Sequence, residues 1–336
     1  MLNTKGVYMP VITISEIHQV CKTALEKHGA LPWIAESVAH AVAKNESRNN
    51  RICGLYYLQS YCEQLVSGRV SKDAEPEVTL PKPGFVKVDA KYGFAQPAFE
   101  RALPAAISAA RDNGTASLAI GHSHTCTSLG FFTEQLARHG FIAIGFTNSS
   151  PIVAPPGGKV RTIGTNPVAF SVPDGEGGIA MQFDQSTTVV ALGKITMAKE
   201  AGESIPEGWA LDEHGQPTTD PHKALAGSLV SAGGYKGWGF GLMAELLTAG
   251  MTGGIASQFV KPLKAPQGDP HDLGQFFLII DPTNSDYFYE RCQQVADLVS
   301  QDDGTRLPGQ FINEIKEVEV PESLWELATR LSNGPR

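Results

Sequence analysis

Residues 116–148 read ASLAIGHSHTCTSLGFFTEQLARHGFIAIGFTN. The run Ala116 to Ile120 is short, apolar and typical of a buried strand, FFTEQLARHG repeats its apolar side chains at helical spacing, and FIAIGFTN returns to a strand. Upstream, GFVKVDA (84–90) alternates like a strand and PAFERALPAAISAARDNG (97–114) reads as a helix. Elements that alternate in this way predict an α/β domain. Further strands are expected at PVAFSVP (167–173), GIAMQFD (178–184) and QFFLIIDP (275–282). Long helices fit 237–250 and 286–300, and PESLWELATRLS (321–332) is a proline-started terminal helix.

Ahead of this domain the pattern is helical. Ile14, Ile17, Cys21, Ala24, Leu25 and His28 recur at helical spacing, with Ser15 placed to cap the start and Gly29 the end. Pro32 opens a second helix carrying Ile34, Val38 and Val42; Tyr57, Leu58, Tyr61, Cys62 and Leu65 mark a third that stops at Gly68. Residues 1–68 are therefore expected to be helical, with RNNRICG (48–54) as a link. Gly- and Pro-rich stretches near 155–166, 201–221 and 262–275 predict loops.

The composition bounds the function. A chain of 336 residues with 42% hydrophobic side chains can bury a large core, and its net charge of -8 includes no basic block, which argues against nucleic acid or an anionic membrane as partner. Five cysteines without a CxxC pair fit reduced thiols. The first residues hold no apolar segment of signal-peptide length, and no run approaches the ~18 apolar residues of a membrane helix. The expectation is a cytoplasmic protein.

The standard nucleotide fingerprints, G-x-G-x-x-G and G-x-x-x-x-G-K-[ST], are absent. In AGGYKGWGFGLMAELLTAG (232–250), glycines surround Lys236 at the mouth of a helix. Such a turn either holds an anion on its backbone N–H groups or lets the helix pack closely. His122, His124 and Cys126 could alternate onto one face, as metal ligands or as a polar loop at a strand end, although no fourth ligand is evident. Thr165 with Asn166, and Asp184, Gln185, Ser186 with Thr187, end predicted strands in groups suited to carboxylate or nucleotide recognition, or to turns. Cys53 could be a nucleophile with His124 as base, or a small residue packed at a helix start.

Together these stretches resemble the malate/L-lactate dehydrogenase family of NAD(P)-dependent, non-Rossmann oxidoreductases, which includes sulfolactate dehydrogenases and reductases of piperideine-2-carboxylate and pyrroline-2-carboxylate. The most specific pieces are GTNPVAF (164–170), IPEGWALDEHGQPTTDP (205–221), GGYKGWGFGLMAELL (233–247) and FFLIIDP (276–282), in the family's order. GFAQPA (93–98) leans toward the imine reductases, and GLYYLQSYCEQLVSGRV (54–70) toward the sulfolactate branch. The resemblance implies an α/β fold with a central, largely antiparallel sheet, an N-terminal helical region and an inserted cofactor-binding subdomain. The divisions expected are 1–75 with a terminal helix in 311–336 packed on it, 76–122 with 225–310 as the main domain, and 123–224 as the insert. It further implies a homodimer, a small carboxylate substrate, NADP or NAD as cofactor and no metal.

Carried over by position, His124, Thr125, Cys126, Thr127, Ser128 and Leu129 border the cofactor, as do Asp184, Gln185, Ser186, Lys236, Gly237, Arg306 and Gly309. Tyr57, Thr165 and Asn166 face the substrate. One motif departs: where the family reads Ser-His-Gly, with histidine as proton donor, this chain reads Ile52-Cys53-Gly54. The imine reductases place a carboxylate-binding arginine shortly after, where this chain has Tyr57. Cys53, His124 and Lys236 are then the candidate catalytic groups. The expected activity is reduction of a 2-imino or 2-oxo carboxylate with a rebuilt proton supply. The alternative is a nucleotide- or metabolite-binding homologue that has lost hydride transfer.

Overall fold

The computed structural model describes residues 9–310 and 314–335. Strand β1 (Val11–Thr13) leads into helices α1 (Ile14–Lys27), α2 (Pro32–Glu46) and α3 (Leu58–Ser67). Thr13, not Ser15, caps α1: its hydroxyl accepts from the Glu16 N–H at 3.1 Å while the Glu16 carboxylate accepts from the Thr13 N–H at 3.0 Å. This reciprocal box satisfies two otherwise orphaned donors. Next come β2 (Glu77–Lys82), β3 (Phe85–Asp89), α4 (Ala95–Asn113), β4 (Thr115–Ser123), α5 (Gly130–Arg138), β5 (Ile142–Thr147), β6 (Val168–Pro173) and β7 (Ile179–Gln185). Then follow α6 (Leu192–Ala201), β8 (Ala210–Leu211), β9 (Pro217–Thr218), α7 (Pro221–Ala226), β10 (Ser228–Leu229) and α8 (Tyr235–Thr252). The chain closes with β11 (Leu273–Ile280), α9 (Phe288–Val299), β12 (Glu317–Glu319) and α10 (Glu322–Ser332).

A seven-stranded sheet in the order β2-β3-β4-β11-β5-β6-β7 organises the main domain. Only β3 and β4 pair in parallel; the other neighbours are antiparallel. Leu118, Ile120, Phe277 and Ile279 point to one face, where Phe99, Ala102 and Ala106 of α4 and Phe132 and Leu136 of α5 complete the core. Ala119 and Phe276 point to the other, against Ala244 of α8. The central strands are continuously apolar because both faces are covered.

A second core unites α1, α2 and α3 with α10 through Ile17, Leu25, Ile34, Val38, Leu58, Leu65 and Ala328, and β1 pairs with β12. Of the segments expected to be helical, residues 1–8, 311–313 and 336 lie outside the described residues. The boundary expected at 123 requires correction. Strands β5, β6 and β7, inside the anticipated insert, are hydrogen-bonded into the main sheet. A smaller unit surrounds its own core of Val153, Ile163, Val190, Ile195, Ile205, Ala210 and Leu229, with the little sheet β10-β8-β9. Part of the expected loop 201–221 thus forms β8 and β9. Strand β2 escaped notice because it is an exposed edge carrying Pro81, and α6 because Ile195 is its one buried side chain. Among the described residues no helix is long and apolar enough to cross a membrane.

Candidate active site

The link between α2 and α3 is two single 3-10 turns, Arg51–Cys53 and Leu55–Tyr57. The buried Glu46 side chain accepts the Leu55 N–H at 2.7 Å and holds the second turn. Gly54 makes room for it: a Cβ there would stand 2.1 Å from Glu46 Oε1 and 2.6 Å from Cδ. Gly54→Ala is therefore expected to displace the whole carboxylate and cost about 2 to 3 kcal/mol, read as a lowered denaturation midpoint.

These turns set Cys53 beside Tyr57 in one cluster. Tyr57 stacks obliquely on Tyr61 of α3, ring centroids 5.7 Å apart. From the loop after α8, the Lys264 ammonium lies 3.1 Å from the Tyr56 ring centroid and 4.5 Å from that of Tyr57. Burial pulls the Lys264 pKa down to about 8, partly opposed by nearby Cys53. Among the described residues no carboxylate pairs with Lys264. Burial, followed by the charge of Asp184, pushes the Cys53 thiol up to about 12; Tyr57 is likewise raised, chiefly by burial. A thiol held protonated is no nucleophile at neutral pH. Cys53 should alkylate at pH 7 more slowly than a cysteine in an unstructured peptide, a difference that timed labelling and peptide mapping would register.

His124 forms the wall behind Tyr61. Its Nε2 meets Gln64 Oε1 at 2.7 Å, and its ring stacks on His271 at 3.9 Å with 10° between planes. The edges of Tyr61 and Phe94 close the box. Burial first, then the neighbouring His271, drives His124 well below the usual imidazole range, and burial does the same to His271. Both rings are therefore neutral. His122 turns away at φ +50° and its Nδ1 meets Asp272 at 2.8 Å, so His122, His124 and Cys126 do not share one face. No metal-holding group of His, Cys, Asp and Glu occurs among the described residues.

Asp184 stands near Cys53 and also on the predicted cofactor side. Its Oδ2 accepts the Gly130 N–H at the start of α5 at 2.8 Å and the Ser128 hydroxyl at 3.3 Å. The residue keeps surface exposed, yet its carboxylate is crowded by protein, and this desolvation raises its pKa against the hydrogen bonds that lower it. Lys44, Arg48, Asn50, Ser128, Gly130 and Asp184 line an adjoining cavity of about 220 Å³. Thr125 and Leu129 are buried, Thr127 takes φ +58°, Gln185 is exposed, and the Ser186 hydroxyl turns to Thr188.

The remaining predicted residues lie apart from Cys53 in sequence and role. Thr165 bonds Thr187 through its carbonyl, at 2.9 Å from both N–H and hydroxyl. Asn166 is fully buried at φ +34°, donating to the Gly241 carbonyl and to Glu245, which also holds Ser257. Gly237 packs so closely that a Cβ would stand 2.4 Å from the Ala232 carbonyl oxygen; Lys236 beside it is exposed, and among the described residues its side chain makes no ion pair or hydrogen bond with the Cys53 cluster. Near the exposed Arg306, Pro308 accepts the Gln182 N–H at 2.9 Å, and Gly309 at φ +75° would put a Cβ 2.6 Å from Gln182 O. Beside them Phe170, Ile179, Tyr289, Leu307 and Gln310 line a cavity of about 540 Å³.

Lys264, Gln64, Arg69 and His271 were not legible as site residues. Gln64 lies in the third predicted helix and Arg69 just beyond its Gly68 end, with no motif to mark either, and KPLKAP (261–266) opens a stretch expected to be a loop. The buried Arg69 in fact donates to the carbonyls of Asp269, Pro262 and Ala265 at 2.9, 2.9 and 2.6 Å, while Gln64 donates to that of Leu263 at 2.9 Å.

A largely antiparallel sheet flanked by helices, with a polar cavity where the end of β7 and the start of α5 meet α2, is an arrangement suited to a small polar ligand. The malate/L-lactate dehydrogenase family model matches residues 12–319, and the chain belongs to that family of oxidoreductases. The (2R)-3-sulfolactate dehydrogenase (NADP(+)) of Chromohalobacter salexigens is 39% identical over 320 residues, covering 94% of this chain and 96% of that protein. A Delta(1)-pyrroline-2-carboxylate reductase of Ancylobacter novellus is 33% identical, covering 97% and 98%. Among solved structures, delta1-piperideine-2-carboxylate reductase of Pseudomonas syringae pv. tomato superposes with a TM-score of 0.88 at 30% identity, over 96% of this chain and 99% of that one.

Proposed function

We propose that this protein reduces a 2-imino or 2-oxo carboxylate with NADP(H) or NAD(H), working in the cytoplasm. A nicotinamide dinucleotide supplies the hydride when bound. The observation that carries the reading is the junction at Asp184, which joins the N-terminus of α5 to the Cys53 and Tyr57 cluster. The fit to a dinucleotide rests on Arg48, whose buried Nε has no partner among the described residues, and on Lys44 beside it; both also pair with Glu134 and Glu314, so a nucleotide phosphate would share these cations with carboxylates. The larger cavity beside Gly309 suits a flat base.

Proton supply refines the substrate. His124 and His271 are neutral, and the Cys53 thiol and the Tyr57 phenol are weak acids. A cyclic iminium arrives protonated and accepts hydride without a protein acid, whereas a ketone needs one. The reading therefore favours cyclic imines. NADPH and NADH oxidation should be followed with pyrroline-2-carboxylate, piperideine-2-carboxylate, pyruvate, oxaloacetate and sulfopyruvate. Turnover of an imine is expected; cofactor binding with no turnover of any of the five would leave the non-catalytic reading in its place.

The same proposal includes a homodimer. Helix α8 exposes Phe240 (56%), Leu246 (70%) and Met251 (47%) in the isolated chain, with Phe259 (62%) beyond its end. So much exposed apolar side chain on one helix is a poor surface for water. Light scattering should return twice the chain mass of 35.9 kDa, and Leu246→Glu should shift it toward one.

A further inference from the structure

Lys264 is an unusual cation. The residue as a whole is exposed, but protein crowds its ammonium enough to lower its pKa, the ammonium faces two phenol rings, and among the described residues it lacks a carboxylate partner. Taking an ammonium out of water is unfavourable unless an anion or hydrogen-bond acceptors replace the lost hydration, and ring faces do so only in part. The backbone around it is held on both sides. The Leu263 carbonyl is taken by buried Gln64 and the Ala265 carbonyl by buried Arg69, so the backbone that carries Lys264 is held before any ligand arrives. A cation with no carboxylate partner among the described residues, on a backbone held at both neighbours, is a preorganised receptor for an anion.

We infer that Lys264 receives the substrate's carboxylate, supplying from the loop 260–272 the positive charge that Tyr57 does not supply at its own position. The ammonium lies over the Tyr57 ring, so the cation and the position meet in space although 207 residues separate them in sequence. The other ionisable groups of the cluster support this role. Cys53 and Tyr57 stay protonated and uncharged and His124 and His271 are neutral, while Asp184 is engaged by α5. Lys264 is thus the group of this cluster able to pair with a carboxylate. The assignment rests on the reductase reading for the identity of the carboxylate, but not for the existence of the receptor.

The test measures binding apart from turnover. Pyrrole-2-carboxylate, a flat carboxylate that cannot accept hydride, is titrated by calorimetry into the protein saturated with NADP+, for the natural chain, Lys264→Met and Lys264→Arg. Saturable binding by the natural chain is expected, weakened about 30-fold or more in K264M and by no more than about 5-fold in K264R. NADP+ affinity should be unchanged in both. Equal affinity in K264M, or no saturable binding by the natural chain, overturns the assignment. So does a loss of kcat in K264M at unchanged carboxylate affinity, which would make Lys264 a proton donor. If K264M melts early, Lys264→Gln takes its place in the comparison. Carboxylate binding that depends on Lys264 in a protein that oxidises no NADPH would retire the reductase reading and keep the receptor.

Discussion

Installing serine at position 52 and histidine at position 53 together is expected to raise kcat for a 2-oxo acid by about 100-fold or more, and for a cyclic imine far less. The argument is one of proton supply. The resemblance to the family sets Cys53 at the donor position, and burial holds its thiol at about 12, so it yields a proton reluctantly. An imidazole in the same place would feel the same burial, which disfavours its protonated form, and the field of Asp184, which favours it; its ordinary pKa of about 6.5 still makes it a far readier donor than the buried thiol. Ile52 lies near the start of α6, close to where a Gly193 side chain would begin, so its replacement by serine removes modest packing only. The comparison needs steady-state rates with pyruvate or sulfopyruvate and with pyrroline-2-carboxylate, at saturating NADPH. Equal gains for both substrate types would mean that proton delivery does not separate them, and no gain at all in a folded, cofactor-binding double variant would place the donor elsewhere.

The second large effect lies in stability. Arg69→Ala is expected to cost about 3 kcal/mol or to release the loop 260–272 at a comparable free energy. Arg69 is almost wholly buried, and its three donated hydrogen bonds are to carbonyls of that loop. Alanine would leave those acceptors without a donor inside the protein. Chemical denaturation reports the global term, and amide hydrogen exchange over residues 260–272 the local one. If both match the natural chain, the loop is held by something other than Arg69. Because Lys264 rides on this loop, the same variant should weaken carboxylate binding without touching a ligand-facing side chain.

The sequence makes some of this architecture legible for identifiable reasons. The runs at 116–120, 142–146 and 276–280 stand out because the central sheet is covered by α4 and α5 on one face and α8 on the other, leaving no polar alternation. The helices of the N-terminal region stand out through their spacing and their Pro32 and Gly68 boundaries. The strand directions do not follow from the alternation. Strands β4 and β5 do flank a helix and run the same way, but β11 lies between them, antiparallel to both. Only the resemblance to a family implied the largely antiparallel sheet.

The site divides in the same manner. The departure at Ile52-Cys53 is local and visible, whereas Lys264 enters from a proline-rich loop whose sequence carries no motif. His124 was visible as a histidine at a strand end, but its neutrality depends on a box of Tyr61, Gln64, Phe94 and His271 that only the fold assembles. Asn166, expected to face the substrate, is tied by its amide to Gly241 and Glu245 because the chain there must take a left-handed turn beside α8.

The position of β11 also sets an order of events during synthesis. Phe277 pairs with Leu118 on one side and with Gly145 on the other, so β4 and β5 leave the ribosome as two unsatisfied strand edges and wait for a partner made much later. The central sheet cannot close until almost the whole chain exists, which makes folding dependent on distant contacts and therefore slow. A nascent or truncated chain ending before Leu273 would present paired, sticky edges to its neighbours, and such fragments should be handed to chaperones or aggregate rather than fold as a smaller domain.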